Sequence, residues 1–357
     1  MKISQLCIPN MYSLNIADFT KITNQELMIA TGVYRKECSG VFGYAHIGAV
    51  IMRNLHNFLA EEFENQGIQE VNFGLLQKVS DWEESGRFET YQKYMILTQK
   101  GRMCLAPTHE EAALKLIKDI NPKYSSLPLG FFQIGKKFRG HRPSNSPRTA
   151  IEFEMADAYM LHAHDDQSNE SVNRLKKVVE SFFKRFDISV HYKPNGNYIP
   201  VWVNSQGINT EVAKIQLEGT ELSEKMGITY KDQTSVNKPF NLICAGMGMG
   251  RALEMIVSTH RDDKGINWPD EIRPFYLGII PVNGTAEERE TIENLRKKYK
   301  EKGKKSIIHD GSYSLGRRIR EIDLIGCAEK IIVGKRELES GELFIEQREG
   351  TKRRITL

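Results

Sequence analysis

The feature that most constrains the fold is a change in the order of predicted strands and helices at Trp268-Pro269-Asp270. Before this point, strands follow one another around turns, without the regular strand–helix alternation of a doubly wound sheet. After it, strands and helices alternate in FYLGIIPV, AEERETIENLRKKYKEKG, KSIIHD, SLGRRIREIDLIG and EKIIVGK. The sequence therefore predicts an α+β domain with an antiparallel sheet over residues 1–270, followed by a small α/β domain over residues 271–357.

Local patterns place the main elements of the first domain. Apolar residues recur at helical spacing from about Ala45 to Gly67 and from Ser168 to Phe186. The stretch YMILTQKGRMCLAPTHEE predicts a hairpin that leads into a helix, with Thr108 as the N-cap residue and two acids in the first turn. FFQIGKKFR and TAIEFEMADAYML predict two strands that flank a basic loop.

Composition limits the class of protein without selecting a function. The chain has 357 residues, 40% hydrophobic and 27% charged, which is typical of a folded protein with two domains. Its net charge of +4 permits contact with nucleic acid but does not require it. The five cysteines form no CxxC pair, which argues against a zinc knuckle and favours a reducing compartment. No segment resembles a signal peptide or a membrane span, so we expect a soluble, cytoplasmic protein.

Two junctions between a strand and a helix carry residues suited to binding small charged groups. In CAGMGMGR, alternate glycines such as Gly248 let a ligand approach the backbone, and Arg251 can bind a phosphate. Tight backbone packing explains these glycines equally well. In PTHEE, Thr108 and Glu110 offer acceptors for an ammonium group, although an ordinary helix N-terminus also explains them.

The predicted hairpin around the basic loop offers a third group of candidates. Arg139 can bind a phosphate or carboxylate through two parallel hydrogen bonds, and Phe153 on the second strand can stack on a base. Glu152 adds a carboxylate beside Phe153. A surface hairpin with a solvated basic loop is the local alternative.

Taken in chain order, seven stretches resemble the class II aminoacyl-tRNA synthetases, specifically the prolyl-tRNA synthetase family, over nearly the whole chain. They are SGVFGYAHIGAVIMRNLHNFLAEEFENQGIQEVNF, DWEESGRFETY, CLAPTHEEA, FQIGKKFR…EFEMADAY, CAGMGMGR, HRDDKGINWPDEIRPFYLGIIPVN and DLIGCAEKIIVGKRELESG. The resemblance implies a six- or seven-stranded antiparallel catalytic sheet, an anticodon-binding-type α/β domain and a homodimer. It also implies ATP-dependent activation of an amino acid, with proline as the first candidate, and transfer to tRNA. The segment between Tyr159 and Cys244 is too short for the editing insertion of many bacterial members.

For the nucleotide, the resemblance implies roles by position in the family's motifs. Arg139 would bridge the substrate carboxylate and the α-phosphate of ATP, and Arg251 would hold the γ-phosphate; these two are the catalytic candidates. Phe153 would stack on adenine, and the backbone at Gly248 would approach ATP. Glu152 would lie on the ATP side, near Mg²⁺.

For the amino acid, the resemblance assigns Thr108 and Glu110 to the amino group and Arg139 to the carboxylate. Two positions of the proline pocket depart from the family. Phe88 stands where a tryptophan is usual, and Lys214 stands where a substrate-contacting histidine is usual. A lysine beside the cationic proline nitrogen would be repulsive, whereas a substrate with an extra carboxylate would be favoured, and Lys214 could also point elsewhere.

Other departures lie close to the same motifs. The acid normally found two residues after the motif-two arginine is His141, and the arginine that usually precedes Glu152 is Ile151. Gln216 stands one residue early, which in a strand predicts that its side chain faces away from the pocket. Gly74 replaces a proline that marks the family's dimer interface.

The second domain carries basic side chains suited to the phosphate backbone of tRNA, although a solvated surface explains them equally well. They are Lys304, Lys305, Arg317, Arg318 and Arg320. Three hypotheses remain from the sequence. The chain is a proline–tRNA ligase, a related enzyme that activates a different amino acid or uses a different acceptor, or a non-catalytic RNA-binding or regulatory dimer.

Overall fold

A computed structural model describes residues 1–6, 19–98, 100–140, 147–163 and 167–355. The described residues form two compact units. We call Lys36–Phe42 with His56–Ile256 the antiparallel unit, and Met1–Arg35 with Gly43–Leu55 and Val257–Leu357 the mixed-sheet unit. His141 belongs to the residues that are not described, so its predicted departure has no structural account.

The strands of the described chain are numbered in chain order. They are β1 (Tyr34–Cys38), β2 (Val41–Tyr44), β3 (Gln69–Glu70), β4 (Leu76–Lys78), β5 (Ile96–Leu97), β6 (Met103–Leu105), β7 (Leu129–Phe138), β8 (Glu152–His162), β9 (Val190–Tyr192), β10 (Tyr198–Ser205), β11 (Ile208–Gly219), β12 (Thr229–Lys231), β13 (Asn237–Pro239), β14 (Asn241–Gly248), β15 (Arg261–Asp262), β16 (Gly265–Ile266), β17 (Leu277–Pro281), β18 (Ser306–Ile308), β19 (Glu329–Val333), β20 (Leu343–Gln347) and β21 (Lys352–Ile355).

The helices are numbered in the same way. The α-helices are α1 (Asn24–Ala30), α2 (His46–Asn65), α3 (Val79–Glu84), α4 (Phe88–Tyr91), α5 (Glu110–Ile120), α6 (Ser168–Lys184), α7 (Glu221–Lys225), α8 (Met249–His260), α9 (Ala286–Glu301), α10 (Leu315–Ile325) and α11 (Lys335–Ser340). Short 3₁₀ helices are Ile3–Gln5, Gln92–Tyr94, Tyr124–Ser126 and Pro147–Thr149. None of the described helices is long and apolar enough to cross a membrane.

The antiparallel unit is built on a seven-stranded sheet with the order β3-β7-β8-β14-β11-β10-β9. Neighbouring strands are antiparallel, except that the short edge strand β3 runs parallel to β7. The predicted α+β class with an antiparallel catalytic sheet is therefore confirmed. The hairpin of β7 and β8 pairs Phe138 with Glu152 at its loop end, which places Arg139 directly after the last paired residue of β7.

Helix α5 is held to this unit by its apolar face. Ala113, Leu114 and Ile117 recur at helical spacing and are fully buried in one core with Phe131 of β7 and Leu242 of β14. Full burial of such side chains contributes about 1.5–3 kcal/mol each for the larger ones. The helix begins one residue later than the sequence predicts.

Thr108 is consequently not the N-cap residue of α5. His109 occupies that position, and its side chain makes no capping hydrogen bond. The predicted cap is wrong because Thr108 is buried and hydrogen-bonded to Glu110, so its hydroxyl is used inside a cavity and not at the backbone of the first turn.

The mixed-sheet unit contains a five-stranded sheet with the order β18-β17-β19-β20-β21. β17 is parallel to both β18 and β19, as the strand–helix alternation predicts, and β20 and β21 complete the sheet in antiparallel pairs. The chain start joins this sheet, because Lys2 bridges to Ile308 and the backbone amide of Ser4 donates to Asp310 over 3.0 Å. The boundary between residues 270 and 271 stays a prediction.

Candidate active site

The antiparallel unit contains two cavities that meet. The larger has a volume of about 230 Å³ and the smaller about 170 Å³. Four residues line both: Arg139 just after β7, Met155 on β8, Lys214 on β11 and Gly246 on β14. A ligand that fills both cavities would therefore pass Arg139 and Lys214 where the two cavities join.

The larger cavity brings together an aromatic ring, two arginines and a glycine-rich turn. Phe153 lies with its ring centroid 5.3 Å from the guanidinium carbon of Arg139. Arg251 donates to the backbone carbonyls of Arg148 over 3.1 Å and Glu211 over 2.9 Å, which holds its side chain in the cavity wall. Gly248 also lines the cavity, where a side chain would occupy ligand space. The structure thus collects Arg139, Phe153, Gly248 and Arg251 as predicted.

Glu152 is not part of this collection. The lining of the larger cavity includes Phe153, Glu154 and Met155 of β8 but not Glu152. The Glu152 carboxylate lies 3.1 Å from the Nζ of Lys136. Its role beside ATP and Mg²⁺ stays a prediction. Two other carboxylates line the cavity: Glu211 accepts a hydrogen bond of 2.8 Å from the hydroxyl of Tyr198, and Glu154 lies 3.2 Å from Nε2 of His56.

The smaller cavity is built around a buried cluster of opposite charges. Arg87 donates to Glu111 over 3.0 Å and to Glu110 over 3.3 Å, and its other terminal nitrogen donates to the hydroxyl of Tyr91 over 2.9 Å. Glu110 and Glu111 are only 9% and 2% exposed. One guanidinium is therefore shared by two carboxylates that would be very costly to bury without it.

The two carboxylates of this cluster differ in their affinity for protons. Burial disfavours charge at Glu110, but Arg87, the Thr108 hydroxyl and a backbone amide outweigh it and lower the pKa of Glu110 to about 2. Burial and the negative charge of Glu110 raise the pKa of Glu111 to about 7. Glu110 is thus the fixed negative charge of the smaller cavity, suited to an ammonium group. Thr108 lines the same cavity, as predicted.

A buried network in the wall of the smaller cavity links β8 to β7. Asp157 accepts hydrogen bonds from the Tyr159 hydroxyl and from Nε2 of Gln133, the latter over 3.0 Å, and lies 2.6 Å from the Nζ of Lys137. The ring of His109 is fully buried beside them, with Nε2 donating to the carbonyl of Gly74 over 3.2 Å. Burial and the charge of Lys137 lower the pKa of His109 to about 4.

This pKa predicts a loss of stability in mild acid. The folded state binds the His109 proton less tightly than the unfolded state, whose pKa is near 6.5. The stabilisation is therefore complete above pH 6.5 and is lost as the pH falls through about 4, by on the order of 3 kcal/mol. The raised pKa of Glu111 has the opposite effect, because protonation of this carboxylate in acid favours the folded state. The contribution of His109 is therefore measured as the difference in unfolding free energy between wild type and His109→Asn. A difference that stays constant from about pH 7 to about pH 4 would contradict the assignment.

One face of β11 supplies a polar wall to the smaller cavity. Lys214, Gln216 and Glu218 alternate along the strand and all line the cavity. The prediction that Gln216 faces away is wrong. Lys214 and Gln216 are two residues apart and pair with β14 in continuous register, so alternation places both side chains on the face that lines the cavity.

Phe88 lies apart from the described linings of both cavities. It belongs to the short helix α4 and packs against a cluster of Trp82, Met95 and Cys104. Its neighbour Arg87 reaches the smaller cavity instead. A role for Phe88 in amino-acid binding remains a prediction, and the contacts show only that it supports the segment that carries Arg87.

Several residues of the site were missed by the sequence reasoning. Arg87, Tyr91 and Asp157 lie within stretches that resemble the family, DWEESGRFETY and EFEMADAY, so their position in a motif was a usable signal. Glu211 and Glu218 stand beside residues of no particular pattern. Glu218 is four residues from Lys214 and shares its face by alternation, whereas Glu211 is three residues away and is separated from Lys214 by a register shift in the pairing with β10, which the sequence does not reveal.

The basic residues of the second domain have different surroundings. Lys305 and Arg320 are exposed, and the ammonium of Lys304 lies over the ring of Tyr276. Arg317 donates to Glu321 over 3.0 Å. Arg318 is 8% exposed and donates to the carbonyl of Pro281, which leaves little of its guanidinium for RNA.

Comparisons with known proteins agree with this geometry. Residues 94–260 match the tRNA synthetase class II core domain (G, H, P, S and T), and residues 277–357 match the anticodon binding domain. The proline–tRNA ligase of Ehrlichia ruminantium is 26% identical over 99% of this chain and 96% of its own length. Prolyl-tRNA synthetase of Giardia lamblia, solved with prolyl-adenylate, covers 93% of this chain and 74% of its own at 22% identity, with a TM-score of 0.80. The Cryptosporidium parvum enzyme, solved with halofuginone and AMPPNP, gives a TM-score of 0.82 at 17% identity, over 93% of this chain and 74% of its own.

The chain belongs to the class II aminoacyl-tRNA synthetases, with a catalytic core and an anticodon-binding domain. Within that class it is prolyl-tRNA synthetase-like, since the relatives and structural neighbours named above are proline–tRNA ligases.

Proposed function

We propose that this protein is an ATP-dependent ligase that activates proline as prolyl-adenylate and transfers it to tRNA. The observation that carries the proposal is the junction of two cavities at Arg139. On one side lie Phe153 and Arg251, suited to a base and phosphates, and on the other lie Thr108 and Glu110, suited to an ammonium group.

The residues of the chain perform this chemistry by positioning and by charge. Glu110 and Thr108 bind the amino group, so the carboxylate of the amino acid points to the junction of the cavities. Arg139 holds that carboxylate beside the α-phosphate, while Arg251 binds the terminal phosphate and Phe153 stacks on adenine. Such positioning replaces a bimolecular encounter by an intramolecular one, and fixed cations stabilise the charge of the transition state.

Mg²⁺ would be bound in this site together with ATP. Magnesium is commonly held by one or two carboxylates together with substrate phosphates, and the described residues contain no cluster of three or more candidate metal ligands. Glu211 is the carboxylate that fits this requirement, since it lines the larger cavity and, unlike Glu154, forms no ion pair among the described residues. The ion would neutralise part of the triphosphate charge there.

Transfer to tRNA and assembly as a homodimer complete the proposal. Exposed Lys305 and Arg320 are suited to the RNA backbone, whereas buried Arg318 is better suited to holding its helix to the sheet. The dimer is an inference from family membership. Position 74 has room for a side chain: a Cβ atom added to Gly74 would lie 3.8 Å from the carbonyl oxygen of Leu76, which is an ordinary contact distance. The glycine is therefore not required there by crowding.

A second candidate is activation of a more polar amino acid than proline. The observation in its favour is the wall of Lys214, Gln216 and Glu218, three polar side chains in a cavity that would hold an apolar pyrrolidine ring. A hydrogen-bonding substrate would satisfy these groups, and a purely apolar one would leave them desolvated.

Charging of tRNA tests the proposal. Purified protein is incubated with ATP, radiolabelled proline and total tRNA, and acid-insoluble radioactivity is measured. Proline attached to tRNA, and absent without ATP, is the expected result. Absence of charging with proline, together with charging by a polar amino acid, would support the second candidate instead.

A further inference from the structure

Lys214 occupies the same junction between the cavities as Arg139. Of the four residues that line both cavities, these two carry the only charges, and both are cations. Lys214 comes from the interior of the long strand β11, which is hydrogen-bonded on both sides. Its position is therefore set by the sheet and not by a loop.

The ammonium of Lys214 is available to a ligand. No carboxylate among the described residues forms an ion pair with it, and its Nζ lies 5.8 Å from the centroid of the Tyr198 ring. Tyr198 lines the larger cavity, whereas Glu218 of the smaller cavity also feels the charge of Lys214, so the ammonium lies where the two cavities join. Gly246 stands opposite Lys214 on β14 and adds no side chain that could obstruct it.

We infer that Lys214 is a second cation at the reacting α-phosphate, acting beside Arg139; this inference rests on the proposed function. In the adenylation step, a carboxylate oxygen of the amino acid forms a bond to the α-phosphorus. The bond between that phosphorus and the oxygen bridging to the β-phosphate breaks, and pyrophosphate leaves with the electron pair. Both reactants are anions, so fixed cations at the point of contact reduce their repulsion and stabilise the transition state.

The position of Lys214 distinguishes this role from recognition of the amino-acid side chain. Gln216 and Glu218 lie on the same face of β11 but line the smaller cavity alone, whereas Lys214 lines both. The three polar side chains of β11 therefore have different roles. Lys214 contacts the phosphate, and Gln216 and Glu218 contact the amino acid.

Two substitutions separate the charge from the shape of this side chain. Lys214→Met keeps an unbranched chain and removes the charge, while Lys214→Arg keeps a cation. Amino-acid-dependent ATP–pyrophosphate exchange is measured with the amino acid that the wild type activates. We expect Lys214→Met to lower kcat about 10²-fold with a much smaller change in KM for the amino acid, and Lys214→Arg to recover part of the loss. Lys231→Met, an exposed lysine on β12, is the control and is expected to match wild type.

The outcomes distinguish this inference from the proposed function. If wild type exchanges and Lys214→Met is equally fast, the inference is overturned while the proposed function stands. A variant that changes only KM or the preferred amino acid also overturns it, since Lys214 would then read the substrate side chain. If wild type exchanges with no amino acid, both fail. Thermal unfolding of Lys214→Met at the wild-type temperature shows that the loss is not caused by misfolding.

Discussion

Replacement of Arg139 by alanine is expected to abolish amino-acid-dependent ATP–pyrophosphate exchange while the protein remains folded. Arg139 is a cation that lines both cavities, and its Nε donates to the carbonyl of Pro107 over 3.2 Å; among the described residues its terminal nitrogens have no hydrogen-bond partner and can bind ligands. Loss of one fixed donor at a developing charge lowers kcat by about 10²–10³-fold. Arg139 would contact both reactants, so the loss is expected to reach or exceed the upper end of that range.

The control for this prediction is Arg102→Ala. Arg102 is an exposed arginine of the same unit, immediately before β6, and its removal is expected to leave exchange unchanged. Near-ultraviolet circular dichroism of both variants checks the fold. Exchange at wild-type rate in Arg139→Ala would show that the junction of the cavities is not the site of adenylation.

Replacement of Arg87 by leucine is expected to give the largest loss of stability. The substitution leaves Glu110 and Glu111 buried without their shared cation and removes a guanidinium that lies 5.2 Å from the Trp82 ring centroid and 4.6 Å from that of Tyr91. Removing one partner of a buried ion pair costs about 3–5 kcal/mol. The free energy of unfolding in urea, followed by tryptophan fluorescence, measures the loss.

A second substitution tests the cause. In Arg87→Leu/Glu111→Gln, one uncompensated charge is gone, so part of the stability is expected to return. The matched control is Arg174→Ala, which breaks an exposed pair with Glu170 of 2.9 Å on α6 and is expected to change stability by less than about 1 kcal/mol. Equal losses at Arg87 and Arg174 would contradict the assignment of a buried charge cluster.

The elements that sequence reasoning placed well are those with long, regular patterns. The helix predicted from about Ala45 to Gly67 is found as His46–Asn65, and the one predicted from Ser168 to Phe186 is found as Ser168–Lys184. Their apolar residues repeat over several turns, so errors at single positions do not move the helix. Thr108 shows where this reasoning ends. Whether a threonine caps a helix or lines a cavity depends on its burial, and the residue type alone does not reveal burial.

The residues of the candidate site also differ in how well the sequence predicted them. Arg139, Phe153 and Arg251 were predicted because each lies in a motif with a known order along the chain, and the structure brings them together. Glu152 stays a prediction: it is outside the lining of the larger cavity, while Glu154 of the same strand is part of that lining. The polar wall of β11 was predicted only at Lys214, because which face of the strand lines the cavity depends on its pairing with β10 and β14.

The most direct test of the central claim is ATP–pyrophosphate exchange by the wild-type protein, measured with each of the standard amino acids in turn. The two joined cavities predict exchange that depends on an amino acid, with proline as the substrate under the first proposal. Exchange with a polar amino acid alone would retain the adenylation site and correct its substrate. No exchange with any amino acid at high protein concentration would contradict the account and favour a non-catalytic member of the family.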